Sequence, residues 1–437
     1  MSYLPRPLFA ALALVFSCSA LAAKAPDSAK AAKAGKPVAA APVAALELAH
    51  NLGEVGEARL QAVVERFNRE QGAALKLVRL EKGASPALLN LVRRYDIDEV
   101  LSQPKQFLPL HAMMSKAGVP LKDGELSPDL KAGVVDGKGK LVALPVAYST
   151  PVLFYNKNAL RKAGLDPERP PQTWFEMQAM LDQLQDAGFQ CPYTSSWPVW
   201  VHIDNVSAVS GVPATTDKGQ LVFNGLPQVK HIAMMATWQK AGYFRSFGRR
   251  AEASERFREG ECAMITTDSR EHTDFRDARG VELGVAPLPY HDDVYGGRRN
   301  TLADGAALWV GSGRAAADYK LAAKFVAFLL SPEMQVEMIR QYGQLPLTAA
   351  ARAAASSKVL QDDGTRSLKI AFDSLQGGGA KSPMRVANID AVRAIANEEL
   401  EAVWSDRKPA KAALDTAVNR GNALLSAKPA LKKAQPF

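Results

Sequence analysis

The chain reads as an α/β protein with mostly parallel strand pairing, and three observations predict this. Apolar runs of strand length alternate with amphipathic stretches of helix length from about residue 46 to 425. The 437 residues are 47% hydrophobic and 23% charged, a globular composition long enough for two or three cores of roughly 100–200 residues each. No apolar run of about 18 residues follows the N-terminus, so no later segment is expected to span a membrane.

The first segment concerns export rather than fold. Arg6 is the sole charge before Lys24, residues 8–16 are apolar, and Ser19-Ala20-Leu21-Ala22-Ala23 is a small-residue exit. That order makes residues 1–22 a secretory signal peptide, cleaved after Ala22 or Ala23. Cys18 either leaves with it or serves as a lipid anchor. Residues 23–45, rich in Ala, Lys and Pro, bury little and read as a disordered linker.

Folded structure is expected from Leu46. Residues 46–50 and 75–80 read as strands, and 53–68 as a helix with Leu60, Val63, Val64 and Phe67 on one face. Residues 86–95 and 108–117 read as helices. Strands over 142–146 and 151–155 flank a polar kink, Tyr148-Ser149-Thr150. A helix begins at 157, a rigid loop spans 166–171, and Thr173 caps a helix over 174–187, with Glu176 completing a capping box. Helices over 229–240 and 253–260 precede strands at 262–266, 283–288 and 306–310. A long amphipathic helix over 317–330 stops before Pro332, and helices over 389–403 and 410–425 end the chain.

Charge and reactive residues exclude several classes. The formal charge is +9, but the 54 basic residues are dispersed rather than gathered in runs, so nucleic acid is not an expected partner. The processed chain keeps Cys191 and Cys262, which either form one disulfide across a loop of about 70 residues or remain two buried thiols. The six histidines lack metal-ligand spacing, so no metal site and no cofactor are expected. Gly377-Gly378-Gly379 lacks the Lys-Ser/Thr of a phosphate loop, and neither a zinc-protease nor a serine-hydrolase motif occurs. With no catalytic residues to name, the chain reads as a binder rather than an enzyme, an exported hydrolase being the alternative.

Several runs carry a resemblance. Residues 149–157 (STPVLFYNK), 163–167 (AGLDP), 170–174 (PPQTW), 257–264 (FREGECAM) and 285–289 (VAPLP) are similar to the large ABC-transporter solute-binding proteins of the maltose-binding-like class. Residues 229–234 (VKHIAM), 343–348 (GQLPLT), 398–404 (EELEAVW) and 415–422 (DTAVNRGN) resemble the branch of that class that binds sn-glycerol-3-phosphate.

The resemblance implies a two-lobed periplasmic binding protein fold of type II, with a hinge and an interlobe ligand cleft. It implies an N-terminal lobe of residues 46–153 plus 287–338 and a C-terminal lobe of 154–286 plus 339–430. It further implies a periplasmic monomer that delivers a small-molecule solute to the transmembrane subunits of an ABC permease and its ATPase. The ligand would be sn-glycerol-3-phosphate, a related glycerophosphodiester, or a different sugar or polyol.

Site residues follow residue by residue. Ser149 and Gly305 fall where the family contacts ligand, Arg393 where it grips phosphate, and Trp197 and Trp200 where it places paired cleft tryptophans. Each has a plainer reading: a turn cap for Ser149, a solvated charge for Arg393, and core packing for the tryptophans. Four positions depart from the family pattern, with Ser85 and Gln344 replacing tyrosines, Asp268 replacing a serine and Ala49 replacing a tryptophan, and a family glutamate falls in a shortened stretch where Asp96, Asp98 or Glu99 could replace it. A carboxylate at 268 would repel a phosphate dianion unless a cation intervenes.

Overall fold

A computed structural model describes residues 46–81, 85–92, 100, 103–121, 125–294, 297–355, 363–376, 378, 384, 386 and 388–426. The segments read as signal peptide and linker lie outside it, as do Asp96, Asp98 and Glu99, which the resemblance offers in place of a family glutamate.

Two sheets organise the described residues. The first has six strands: β1 (Leu46–His50), β2 (Leu75–Arg79), β3 (Leu89–Val92), β4 (Phe107–Leu108), β5 (Leu144–Ser149) and β11 (Asp304–Gly311). Their order is β2-β1-β3-β11-β4, with β5 also paired to β11. The second has five strands: β6 (Pro151–Asn156), β7 (Cys191–Ser195), β8 (Phe244–Arg245), β9 (Cys262–Asp268) and β10 (Leu283–Pro287), in the order β10-β6-β9-β7-β8. Only Thr150 separates β5 from β6, so the chain changes sheet across a single residue.

The helices among the described residues include α1 (Glu54–Gln71), α2 (Leu110–Lys116), α3 (Lys157–Lys162), α4 (Trp174–Asp186), α5 (Leu226–Ala241), α6 (Glu252–Arg258), α7 (His272–Phe275), α8 (Ala316–Leu330), α9 (Pro332–Tyr342), α10 (Asp363–Ser374), α11 (Ile389–Trp404) and α12 (Ala410–Ser426). Among the described residues no helix is long and apolar enough to cross a membrane. The α4 start has the expected capping box. Thr173 accepts from the Glu176 amide (3.1 Å), and Glu176 accepts from the Thr173 amide (3.2 Å).

The apolar patterns bury where they should. Leu60, Val63, Val64 and Phe67 of α1 are buried, and Phe67 packs edge-on against Phe325 of α8 at 5.0 Å. β6 is buried along its whole length and sends alternate residues to opposite faces. Leu153 and Tyr155 meet Trp174, Met177 and Trp238 of α4 and α5. Val152 and Phe154 face the other way, into the core that holds Phe257 of α6 and Phe275 of α7. Burial on both faces explains why β6 reads as an unbroken apolar run.

Two expectations are corrected. Residues 86–95 contain a strand, not a helix: β3 is wholly buried between β1 and β11. A four-residue buried run has no periodicity to separate the two structures. Pairing is also not mostly parallel. β1–β2, β1–β3, β7–β8 and β7–β9 are parallel, but β11 runs antiparallel to β3, β4 and β5, and β6 antiparallel to β9 and β10. Strands that pass between the sheets without a helical crossover return in the opposite sense.

Cys191 and Cys262 open the parallel neighbours β7 and β9 and are joined by a disulfide, with their Cα atoms 4.5 Å apart.

Candidate ligand-binding site

The polar residues gather where the chain passes between the sheets. β7 and β9 end there at Ser195 and Asp268, β6 begins there, and β5 and β11 meet at the pair Ser149–Asp304. Carboxyl ends of parallel strands leave loop backbone and side chains free to converge on a ligand.

Asp268 is buried at the end of β9. It accepts from the Arg270 amide (2.9 Å), and the Arg270 Nε donates to both its oxygens (3.1 and 3.0 Å). The Ser149 hydroxyl also hydrogen-bonds this carboxylate. Burial is the largest influence and would raise the Asp268 pKa, but the Arg270 charge and the hydrogen bonds from Arg270 and Ser149 together outweigh it and hold the group below the ordinary carboxylate value. Arg270 continues across the junction, donating through Nη1 to the Ala147 carbonyl of β5 (3.2 Å).

Gln344 lies half-buried next to this pair. Its neighbour Gly343 has φ +62°, and a Cβ there would fall 2.9 Å from Arg270 backbone atoms. Only glycine combines that conformation with that approach. The Leu345 amide then donates to the Tyr148 carbonyl (3.3 Å), fastening this segment to β5.

Arg393, on the first turns of α11, forms the second half of the cluster. Its Nη2 lies 2.8 Å from Asp204 Oδ2 and 2.8 Å from Asp304 Oδ2. Burial disfavours the guanidinium charge, yet Asp304 and Asp204 together raise its pKa above the usual arginine value. It is therefore not a solvated charge, and its Nε is buried without a hydrogen-bond partner among the described residues. Asp204 is delivered by a π-helix, residues 200–205, a distortion that tends to mark functional positions. Its neighbour Asn205 accepts from the Leu302 amide (2.7 Å) and ties the π-helix to the approach to β11.

Gly305 follows Asp304 on β11, and its amide donates to Asp304 Oδ1 (2.8 Å). A Cβ at Gly305 would lie 2.0 Å from the Ala147 carbonyl oxygen, so the absent side chain is what allows β5 and β11 to close up. Trp200 is buried in the core beside β6 and β7, and Trp197, half-buried at φ 54°, packs against the same core.

Ser85 stands apart. It is exposed ahead of β3, whose first residue pairs with Val310, and β11 needs six residues, about 20 Å, to reach Asp304. Ser149, Asp268, Gln344, Gly305 and Arg393 are thus brought together, the tryptophans flank them from the core side, and Ser85 lies at the other end of the sheet.

Three charged partners were not singled out from the sequence: Arg270, Asp204 and Asp304. Asp304 and Arg270 sit one and two residues from positions that were, but nothing in the sequence announces Asp204 as the partner of a residue 189 positions away.

The histidines also differ from their scattered sequence positions. His202 Nδ1 lies 2.9 Å from His231 Nε2, and His231 Nδ1 lies 3.0 Å from His291 Nε2, all three buried. They form a hydrogen-bonded chain that runs from His202 of the π-helix through His231 of α5 to His291. Among the described residues no group of three His, Cys, Asp or Glu is placed to hold a metal ion.

Two sheets that meet at such a polar junction suit a solute-binding architecture, and the family assignment agrees. Residues 63–366 match the family model for bacterial extracellular solute-binding proteins, and the chain belongs to that family. It is 35% identical over 405 residues to the sn-glycerol-3-phosphate-binding periplasmic protein UgpB of Pectobacterium atrosepticum, covering 85% of this chain and 89% of the relative. The Escherichia coli K12 protein of the same name is 35% identical over 375 residues, covering 82% and 84%. Among solved structures, UgpB from Mycobacterium tuberculosis in complex with glycerophosphocholine superposes with a TM-score of 0.70 at 20% identity, covering 87% of this chain and 98% of that one. Maltose-bound MalE3 of Thermotoga maritima also gives 0.70, at 18% identity, covering 87% and 99%. The fold is the two-lobed, maltose-binding-like one that the motifs implied.

Proposed function

We propose that this chain is the periplasmic solute-binding component of an ABC importer, and that its ligand is a glycerophosphodiester with a cationic head group rather than the sn-glycerol-3-phosphate dianion. One observation carries the choice of ligand. The junction holds two cations, Arg270 and Arg393, against three carboxylates, Asp204, Asp268 and Asp304. A phosphomonoester dianion would add two negative charges to a cluster already one short of neutral. A zwitterionic diester adds none, and its cation meets the surplus carboxylate.

The lobes are read as residues 46–153 with 287–338 and 154–286 with 339–430, hinged at Thr150 and the returning segments. Asp304 then belongs to the first lobe, and Arg393 and Asp204 to the second. A ligand phosphate entering the Arg393 fork would take the place of Asp304, so binding and lobe closure would draw on the same contacts. The closed form would dock on the permease, with no covalent step and no need for a second subunit. A neutral sugar or polyol is the second reading, because every charge in the cluster already has an opposite partner.

Calorimetric titration of the mature protein with sn-glycerol-3-phosphate, glycerophosphocholine and a panel of neutral sugars tests this. The expected result is glycerophosphocholine binding at least tenfold tighter than glycerol-3-phosphate, and abolished by Arg393→Ala. Tighter glycerol-3-phosphate binding would overturn the choice of ligand, and binding of sugars alone would move the protein to the second reading.

A further inference from the structure

Away from the junction, the outer side of the second sheet carries a cavity of about 290 Å³ between β6, β10, α7 and α10. Its floor is Tyr155, over which Gly284 passes so closely that a Cβ would fall 2.2 Å from the ring. Its walls bring together three cations from separate elements: Lys157 at the start of α3, Arg276 just past α7, and Arg366 on the first turn of α10.

The charge there is not cancelled. Glu282 is the carboxylate in the lining, and it is engaged from outside the cavity by both terminal nitrogens of Arg161 (2.5 and 2.7 Å). Lys157 pairs with Glu168, and Arg276 lies 3.4 Å from Asp277. Arg366 has no carboxylate partner among the described residues. It lies on the first turn of the 12-residue α10, the end at which a helix dipole favours negative charge.

A second, independent feature points the same way. Ser367, next to Arg366, lines the cavity at 2% exposure, and its hydroxyl has no hydrogen-bond partner among the described residues. A buried hydroxyl left unmatched costs free energy that an acceptor in the cavity would recover.

We infer that this cavity is a second ligand site, separate from the interlobe junction, for a small oxyanion of the phosphate class. Arg366 and Arg276 would supply the charge, the Ser367 hydroxyl a directed donor, and the α10 terminus the backbone field. The reading does not depend on which solute the junction takes.

Inorganic phosphate titrated at constant ionic strength into the mature protein, followed by calorimetry, tests the site. The expected result is a saturable phase weakened at least tenfold by Arg366→Gln and by Ser367→Ala, and unchanged by Arg393→Ala. Ser367→Ala should leave the thermal midpoint unchanged or raised, because it deletes an unmatched hydroxyl. Absence of saturable binding would overturn the inference. So would binding that survives both α10 variants but disappears with Arg393→Ala, which would put the phosphate at the junction. A marked fall in thermal midpoint for Ser367→Ala would overturn it too, by assigning the hydroxyl a structural partner.

Discussion

Arg393 and Asp304, 89 residues apart in sequence, meet with the guanidinium Nη2 2.8 Å from the carboxylate Oδ2. The same nitrogen is shared with Asp204, so one arginine holds two carboxylates at the place where the two sheets meet. On the proposed lobe bounds and ligand site, removing one carboxylate would change both the charge a ligand meets and the tie between the lobes.

Asp304→Asn tests that relationship. The variant keeps a side chain of the same shape but takes away the surplus negative charge, leaving two cations against two carboxylates. Affinity for sn-glycerol-3-phosphate should rise relative to glycerophosphocholine by at least tenfold, about 1.4 kcal/mol. Parallel titrations of both ligands measure the ratio, and an unchanged ratio would remove Asp304 from the selectivity argument.

Gly305→Ala should be costly for a reason unrelated to ligand. The added Cβ meets the Ala147 carbonyl oxygen at 2.0 Å, and that neighbour is backbone, so β5 and β11 must separate. Overpacking of this kind typically costs about 1–3 kcal/mol. Urea denaturation followed by circular dichroism should show a lower midpoint with an unchanged slope.

The disulfide should stabilise without touching the binding site. It lies at the opening ends of β7 and β9, while Ser195 and Asp268 lie at their far ends. Its 71-residue separation corresponds to about 4 kcal/mol in the loop-entropy model. The double variant Cys191→Ser, Cys262→Ser should therefore unfold at lower urea yet bind ligand with unchanged affinity. Lost affinity in a folded variant would contradict that separation of roles.

The histidine chain sets an acid limit. Burial pushes the pKa of His202 down to about 3 and that of His291 down to about 4, and His231, between them, is also driven well below its ordinary value. Unfolded histidines titrate near 6.5. As pH falls from about 6.5 toward 4 the unfolded state takes up protons that the folded state refuses, so stability drops over that window. Each histidine contributes up to about 1.4 kcal/mol per pH unit. Urea midpoints at several pH values should show the fall, and His231→Phe should make it shallower. An equally steep fall in that variant would place the acid sensitivity elsewhere.

Local chemistry was readable from the sequence. The Thr173–Glu176 capping box, the buried face of α1 and the long helices α8, α11 and α12 announce themselves through spacing that side chains obey within a few residues of one another. The fold class and family were equally legible, because motifs such as residues 149–157 keep their identity wherever the chain is placed. Regions with short or two-sided burial were not. β3 looks helical because a four-residue run has no period, and the sense of pairing for β6 and β11 depends on how the chain passes between sheets.

The candidate site divides in the same way. From sequence came the family and the alternation of strands and helices, together with the expectations of an export signal and of a ligand site at Ser149, Gly305 and Arg393. Folding was needed to set Arg393 against Asp204 and Asp304, to pair Arg270 with Asp268, to put Ser85 at the opposite end of the sheet, and to join three scattered histidines by hydrogen bonds. Hydrogen bonds and ion pairs act over about 3 Å, whereas these partners lie up to 189 residues apart along the chain, so their charge balance exists only once two sheets and a π-helix have brought them together.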